Sequence, residues 1–253
     1  SLKVLFAGIL FYDGQGFMVP KKVDQQKVVG ARTAVATAGK APVKAPVKAA
    51  GEVTIASLDK AKICIEKGTT HLQNLTDTFA ARGMSFEPVI VDSASGVADA
   101  FFAGRCAALT SDTAQLAAAR VRAPGGPSSY LILPERISKE PLGPVVRAGD
   151  DDWLILVRWV LFTLVSAEEM GLTRNNVLVR MREPEMQSLI STGNDAGKGL
   201  GIPAGAGVRA IQSVGNYGEM FERNVGRDSP LKIERGLNRL WTKGGLMYSP
   251  PLR

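Results

Sequence analysis

Two short polar stretches carry the residues best suited to binding chemistry, Lys67-Gly-Thr-Thr-His71 and Ala107-Ala-Leu-Thr-Ser-Asp112. Each closes an apolar run (Ala61 to Glu66, then Cys106 to Leu109), and each opens a helical pattern. Backbone N–H groups at a helix start favour an anionic partner, and the carboxylate of Asp112 favours a cationic one. Two such turns at one edge of a parallel sheet would receive a zwitterion, with Thr69, Thr70, His71, Ser111 and Asp112 as candidate binding residues. Simpler readings stand beside this one. Asp112 suits a cap of the helix that starts at Thr113. Gly68-Thr-Thr70 suits an ordinary strand-to-helix turn, and His71 suits either a ligand side chain or an exposed helix surface. No nucleophile has an evident spacing to His71, so the pattern predicts no catalytic residue and no enzyme.

The elements that must position these residues follow a strand–helix alternation from Lys60 to about Arg136. Strands are predicted near 61–66, 87–92, 106–110 and 129–133, and helices near 70–82, 96–104 and 113–122. That rhythm predicts a parallel sheet with helices on both faces, whose ligands gather at the carboxyl ends of the strands.

Outside this region the pattern is less regular. Residues 6–20 read as two short extended pieces around a turn marked by Gly14 and Gly16. The Pro-, Ala- and Lys-rich segment 23–56 reads as an extended loop without a core. Leu131 to Ser138 reads as a strand interrupted by Pro134, and 150–170 as a helix apolar nearly all round, hence buried. Further helices are predicted at 175–191 (offset by Pro184), 208–223 and 230–241, with a glycine-rich loop at 193–207. Gly193-Asn-Asp-Ala-Gly-Lys198 has three residues between its glycines and lacks a following Ser or Thr, so it fails as a phosphate loop.

Composition removes several classes. The net charge of +7 is dispersed among 24 acidic residues, and the basic segment Gly39 to Lys48 lacks aromatics to stack on bases, which argues against nucleic acid. No run reaches the ~18–20 apolar residues that span a bilayer. One histidine and two dispersed cysteines predict no metal site, and no cofactor motif is present.

Longer motifs carry a resemblance. Phe11-Tyr-Asp-Gly-Gln-Gly-Phe-Met-Val-Pro-Lys21, Gly68-Thr-Thr70, Ala103-Gly-Arg-Cys106, Thr110-Ser-Asp112, Ile137-Ser-Lys-Glu-Pro-Leu-Gly143, Tyr217-Gly-Glu-Met-Phe-Glu-Arg-Asn-Val-Gly226 and Arg235-Gly-Leu-Asn-Arg-Leu-Trp-Thr-Lys-Gly-Gly245 resemble the general L-amino-acid-binding proteins of ABC importers, within family 3 of the solute-binding proteins. The resemblance implies a periplasmic amino-acid-binding component that works with the importer's membrane subunits. It implies that Asp112 takes the ligand ammonium, and that Thr69 and Thr70 contact its carboxylate or backbone. The implied fold is α/β and periplasmic-binding-protein-like. Family members begin with a segment that builds most of the first lobe, whereas this sequence opens near the first crossing between lobes. The expectation is therefore one complete doubly wound parallel-sheet lobe plus a reduced, mostly helical first lobe. Residues 1–22 and 137–253 would form the first lobe and crossings, 23–56 the loop, and 57–136 the second lobe.

Two further expectations follow. Cys64 and Cys106 lie at similar heights on strands that are neighbours in such a sheet; they are either buried free thiols or, in an exported protein, a disulfide. A reduced first lobe would leave Trp153 to Val165 uncovered, which predicts a homo-oligomer, or an interaction protein that has lost high-affinity binding.

Overall fold

The structure, a computed structural model, describes residues 3–21, 53–184, 186 and 197–250. In chain order the strands are β1 (Val4–Phe6), β2 (Phe11–Asp13), β3 (Gln15–Pro20), β4 (Ala61–Glu66), β5 (Phe86–Val91), β6 (Ala108–Asp112), β7 (Tyr130–Ile132), β8 (Glu140–Leu142) and β9 (Val145–Arg147). The helices are α1 (His71–Ala81), α2 (Ala94–Phe102), α3 (Thr113–Val121), α4 (Asp151–Glu169), α5 (Val177–Arg180), α6 (Ala206–Val214) and α7 (Tyr217–Asn224). Contacts divide the chain into two units, Gly14–Lys139 and the combination of Ser1–Asp13 with Glu140–Arg253.

The Gly14–Lys139 unit is built on a sheet of order β5-β4-β6-β3-β7. β4 runs parallel to β5 and β6, and β3 runs antiparallel to β6 and β7, so the sheet is mixed. Side chains alternate across a strand. Phe17, Val19, Ile63, Ile65 and Ala108 therefore share one core with Leu75 and Phe79 of α1. Met18, Cys64 and Leu109 share the opposite core with Val97 and Phe101 of α2 and Leu116 of α3. Helices thus cover both faces. The register Cys64↔Leu109 brings the ends of β4 and β6 to one edge, and Gln15↔Asp112 brings the start of β3 to the same edge.

β3 belongs to this sheet, whereas the sequence expectation took residues 1–22 as a first-lobe remnant and first crossing. Its residues are buried and pair on both sides within this sheet, so the chain enters this unit at Gly14. Glycine is required there by close approach. A Cβ on Gly14 would lie 2.5 Å from the carbonyl oxygen of Ser138, and the Gly14 carbonyl itself accepts from both N and Oγ1 of Thr113.

The second unit is helical around one core that includes Leu161, Leu164, Val165, Ile211, Tyr217 and Phe221. Two short ladders, β1–β9 and β2–β8, belong to it. α4 is capped by Asp150, whose side chain accepts from the Trp153 N–H, and Asp151 and Asp152 complement the dipole of its first turn. Its apolar girth is not matched by burial. Leu161, Leu164 and Val165 are in the core, while Trp153 (51%), Ile155 (38%) and Val160 (41%) remain exposed in its N-terminal part. The helix predicted at 230–241 is replaced by short 3-10 turns at Gly236–Asn238 and Trp241–Lys243. Gly236 takes φ +48, and the Arg235 guanidinium donates to the Asn238 carbonyl, which consumes a backbone acceptor that a helix would use. Arg235 also pairs with Glu168 at 3.0 Å and lies over the rings of Tyr217 and Phe221. The loop expected at 23–56, apart from 53–56, residues 185 and 187–191 of the predicted 175–191 helix, and 193–196 of the expected glycine-rich loop lie outside the described residues.

Cys64 and Cys106 form a disulfide, with Cα atoms 5.6 Å apart, that ties β4 to the residues leading into β6. The bond closes a loop with a sequence separation of 42. By the chain-entropy account such a loop contributes about 3–4 kcal/mol. Cys64→Ala/Cys106→Ala should lower the free energy of urea unfolding by that amount, and an unchanged midpoint would contradict it.

Candidate functional site

β4 ends at Glu66 and turns through Gly68, whose φ of +77 suits a residue without a side chain. Thr69 Oγ1 donates to the Glu66 carbonyl at 2.9 Å and receives the His71 N–H at 3.4 Å. Thr70 occupies the cap position of α1 but makes no side-chain cap bond, and the first turn of α1 contains no acidic residue. The positive end of α1 therefore faces the sheet edge without a carboxylate of its own helix to offset it.

On the adjacent strand Asp112 ends β6. Its side chain makes no cap bond to α3; instead its Oδ1 meets His71 Nε2 at 2.9 Å. Capping is thus not what this side chain does in the structure. His71, for which an exposed helix surface was one reading, is buried at 4% exposure. The Asp112 side chain retains 25% exposure against 5% for that of His71.

A residue that the sequence did not single out lies beneath the pair. Gln15, fully buried, donates through Nε2 to the His71 carbonyl at 3.0 Å and to Thr110 Oγ1 at 2.9 Å. The Thr110 hydroxyl donates onward to the Gly16 carbonyl at 2.8 Å. A carbonyl can only accept, so the orientation of the Gln15 amide is fixed. The available signal was a polar residue inside the apolar run Phe11 to Pro20. Of the other candidates, Ser111 donates to Gln115 Oε1 at 2.8 Å, which commits its hydroxyl to a side chain of α3.

A separate apolar cavity of about 160 Å³ lies in the helical unit, bordered by Leu156, Trp159, Val177, Met181, Leu200 and Ile211. No charged residue is among the described residues that line it. It lacks the groups that would recognise an ammonium or a carboxylate.

A sheet with helices on both faces gathers its ligands at the carboxyl edge, where this carboxylate and the start of α1 lie. Comparison with known proteins specifies the class. The chain is 41% identical over 257 residues to the glutamate/glutamine/aspartate/asparagine-binding protein BztA of Rhodobacter capsulatus, a match spanning 100% of this chain and 68% of that protein. It is 40% identical over 252 residues to the general L-amino acid-binding periplasmic protein AapJ of Rhizobium johnstonii, across 98% of this chain and 66% of that protein. An ABC transporter periplasmic binding protein from Brucella ovis, solved with glutathione bound, superposes with a TM-score of 0.78 at 39% identity, covering 99% of this chain and 71% of its own. No family model matches. The chain belongs to the amino-acid-binding proteins of ABC transporters, and it spans about two thirds of the length of these curated relatives. Among the described residues no helix is long and apolar enough to cross a membrane.

The buried amide makes a checkable demand. Gln15→Leu removes both bonds that the buried amide donates, to the His71 carbonyl and to Thr110 Oγ1, and should cost about 2 kcal/mol of stability in urea unfolding. An unchanged or raised midpoint would show that the network carries no structural weight.

Proposed function

We propose that the chain binds a solute with an α-amino-acid head group and hands it, in the periplasm, to the membrane subunits of an ABC importer. Asp112 receives the ammonium, and the Thr69–Thr70 turn with the start of α1 receives the carboxylate. Ser111 and His71 support this edge. The reading rests on one observation above the rest: a partly exposed carboxylate stands beside a helix start whose first turn has no acidic residue to offset its positive end.

The relatives suggest which solutes to offer. One is named for glutamate, glutamine, aspartate and asparagine, and the Brucella ovis structure holds glutathione. Glutathione carries a free α-ammonium and α-carboxylate on its γ-glutamyl residue, so a single head-group site accommodates both classes. Calorimetry with these four L-amino acids and with glutathione should give saturable heat for at least one. Truncating one side of a buried charge pair costs ~3–5 kcal/mol, so Asp112→Ala should abolish measurable binding. Wild-type affinity in the variant would move the site elsewhere, and no heat in the wild type would reject amino-acid binding.

A second reading concerns assembly. β1 and β9 form a two-stranded ladder, and Val4, Leu5, Phe6 and Val145 on it are exposed, as are Trp153 and Ile155 of α4. Two-stranded ladders are marginal alone, and unpaired edges invite further strands. A second copy pairing through β1 would extend the ladder and cover this apolar surface. Light scattering should then give twice the chain mass of 26.9 kDa, reduced to the monomer by Phe6→Asp. A constant 26.9 kDa across concentrations would reject it.

A further inference from the structure

We infer that His71 is a positioning residue that never touches the solute: it fixes the direction of the Asp112 carboxylate so that this faces the ligand ammonium. This deepens the amino-acid reading and rests on it. Burial separates the two roles. The His71 side chain is 5% exposed and that of Asp112 25%, so a solute meets the carboxylate and the ring acts through it.

The tautomer follows from the partner. Carboxylate oxygens accept, so the neutral ring must carry its hydrogen on Nε2, which lies 2.9 Å from Asp112 Oδ1. Nδ1 is then an acceptor, and it is buried without a hydrogen-bond partner among the described residues. The backbone of His71 is held as well. The His71 carbonyl accepts from Gln15, which is anchored through Thr110 to the centre of the sheet.

Asp112 is the residue immediately before α3, where an aspartate ordinarily turns back to accept from the first N–H groups of the helix. Here that cap bond is not made. A bond from a fixed, buried donor to a charged acceptor is among the stronger ones, and the one from His71 Nε2 sets the direction of the Asp112 carboxylate. Without it the carboxylate is expected to lose that fixed direction at the expense of the site.

The single histidine of the chain makes the test direct. In nitrogen-15 spectra of the wild type, Nε2 should carry the hydrogen and Nδ1 should not, and Asp112→Asn should move the Nε2 resonance. Calorimetry with L-glutamate, L-glutamine, L-aspartate and L-asparagine supplies the second arm. His71→Leu should weaken the best of these about tenfold or more while a single cooperative thermal transition is retained. His71→Gln, which keeps an N–H at similar reach, should restore affinity to within about threefold of wild type. A hydrogen on Nδ1 overturns the inference, as does equal affinity in wild type and His71→Leu; both leave amino-acid binding standing. Wild-type protein that binds none of the four rejects the amino-acid reading, and the positioning role falls with it.

Discussion

Asp112 is a carboxylate with three quarters of its side chain withdrawn from water, and a charge so placed needs a donor close by. One donor at 2.9 Å is an imidazole that is itself buried, and its backbone is held in turn. The demand passes from Asp112 to His71, from His71 to Gln15, and from Gln15 to Thr110 and the carbonyl of Gly16. Three separate stretches of chain, β3, β6 and the start of α1, meet through this series. Their order in the sheet follows from it as much as from the apolar cores on either side. The disulfide adds a covalent tie between β4 and the approach to β6, close to the strands whose ends carry the site.

The parts of this arrangement that the sequence announces are those set by local periodicity. Strands at 61–66 and helices near 70–82 and 113–122 were readable because apolar residues alternate with period two or recur with helical spacing, and those elements form at nearly those positions. Asp112 and His71 were readable as chemistry because they end a strand and open a helix. Their pairing was not, since forty-one residues separate them and no local rule relates them. Gln15 was missed for the same reason: inside an apolar run it resembles an exception, and its partners lie 56 and 95 residues away. The placement of β3 in this sheet is likewise a long-range fact, decided by antiparallel pairing with β6 and β7.

The helical unit shows where local pattern misleads. α4 is apolar around most of its circumference, which ordinarily signals full burial, yet only its later turns enter the core. Near the C-terminus a helical spacing at 230–241 lost to tertiary bonds. Arg235 turns its guanidinium to Glu168 and the Asn238 carbonyl, and Asn238 bonds both N and O of Tyr12, holding β2 from the side. Tyr217 donates to the Leu10 carbonyl, and burial pushes its hydroxyl well above the usual tyrosine range, so it remains a donor at any ordinary pH. These contacts give the unit its order where the backbone is irregular.

A crystal structure grown with L-glutamate or L-glutamine tests the account most directly. The account predicts the ligand ammonium within about 3 Å of an Asp112 oxygen and the ligand carboxylate against the backbone between Thr69 and Leu72, with His71 Nε2 still on Asp112. A ligand bound elsewhere, for example in the uncharged cavity beside Trp159 and Met181, or an Asp112 turned back onto α3 in the complex, would contradict it.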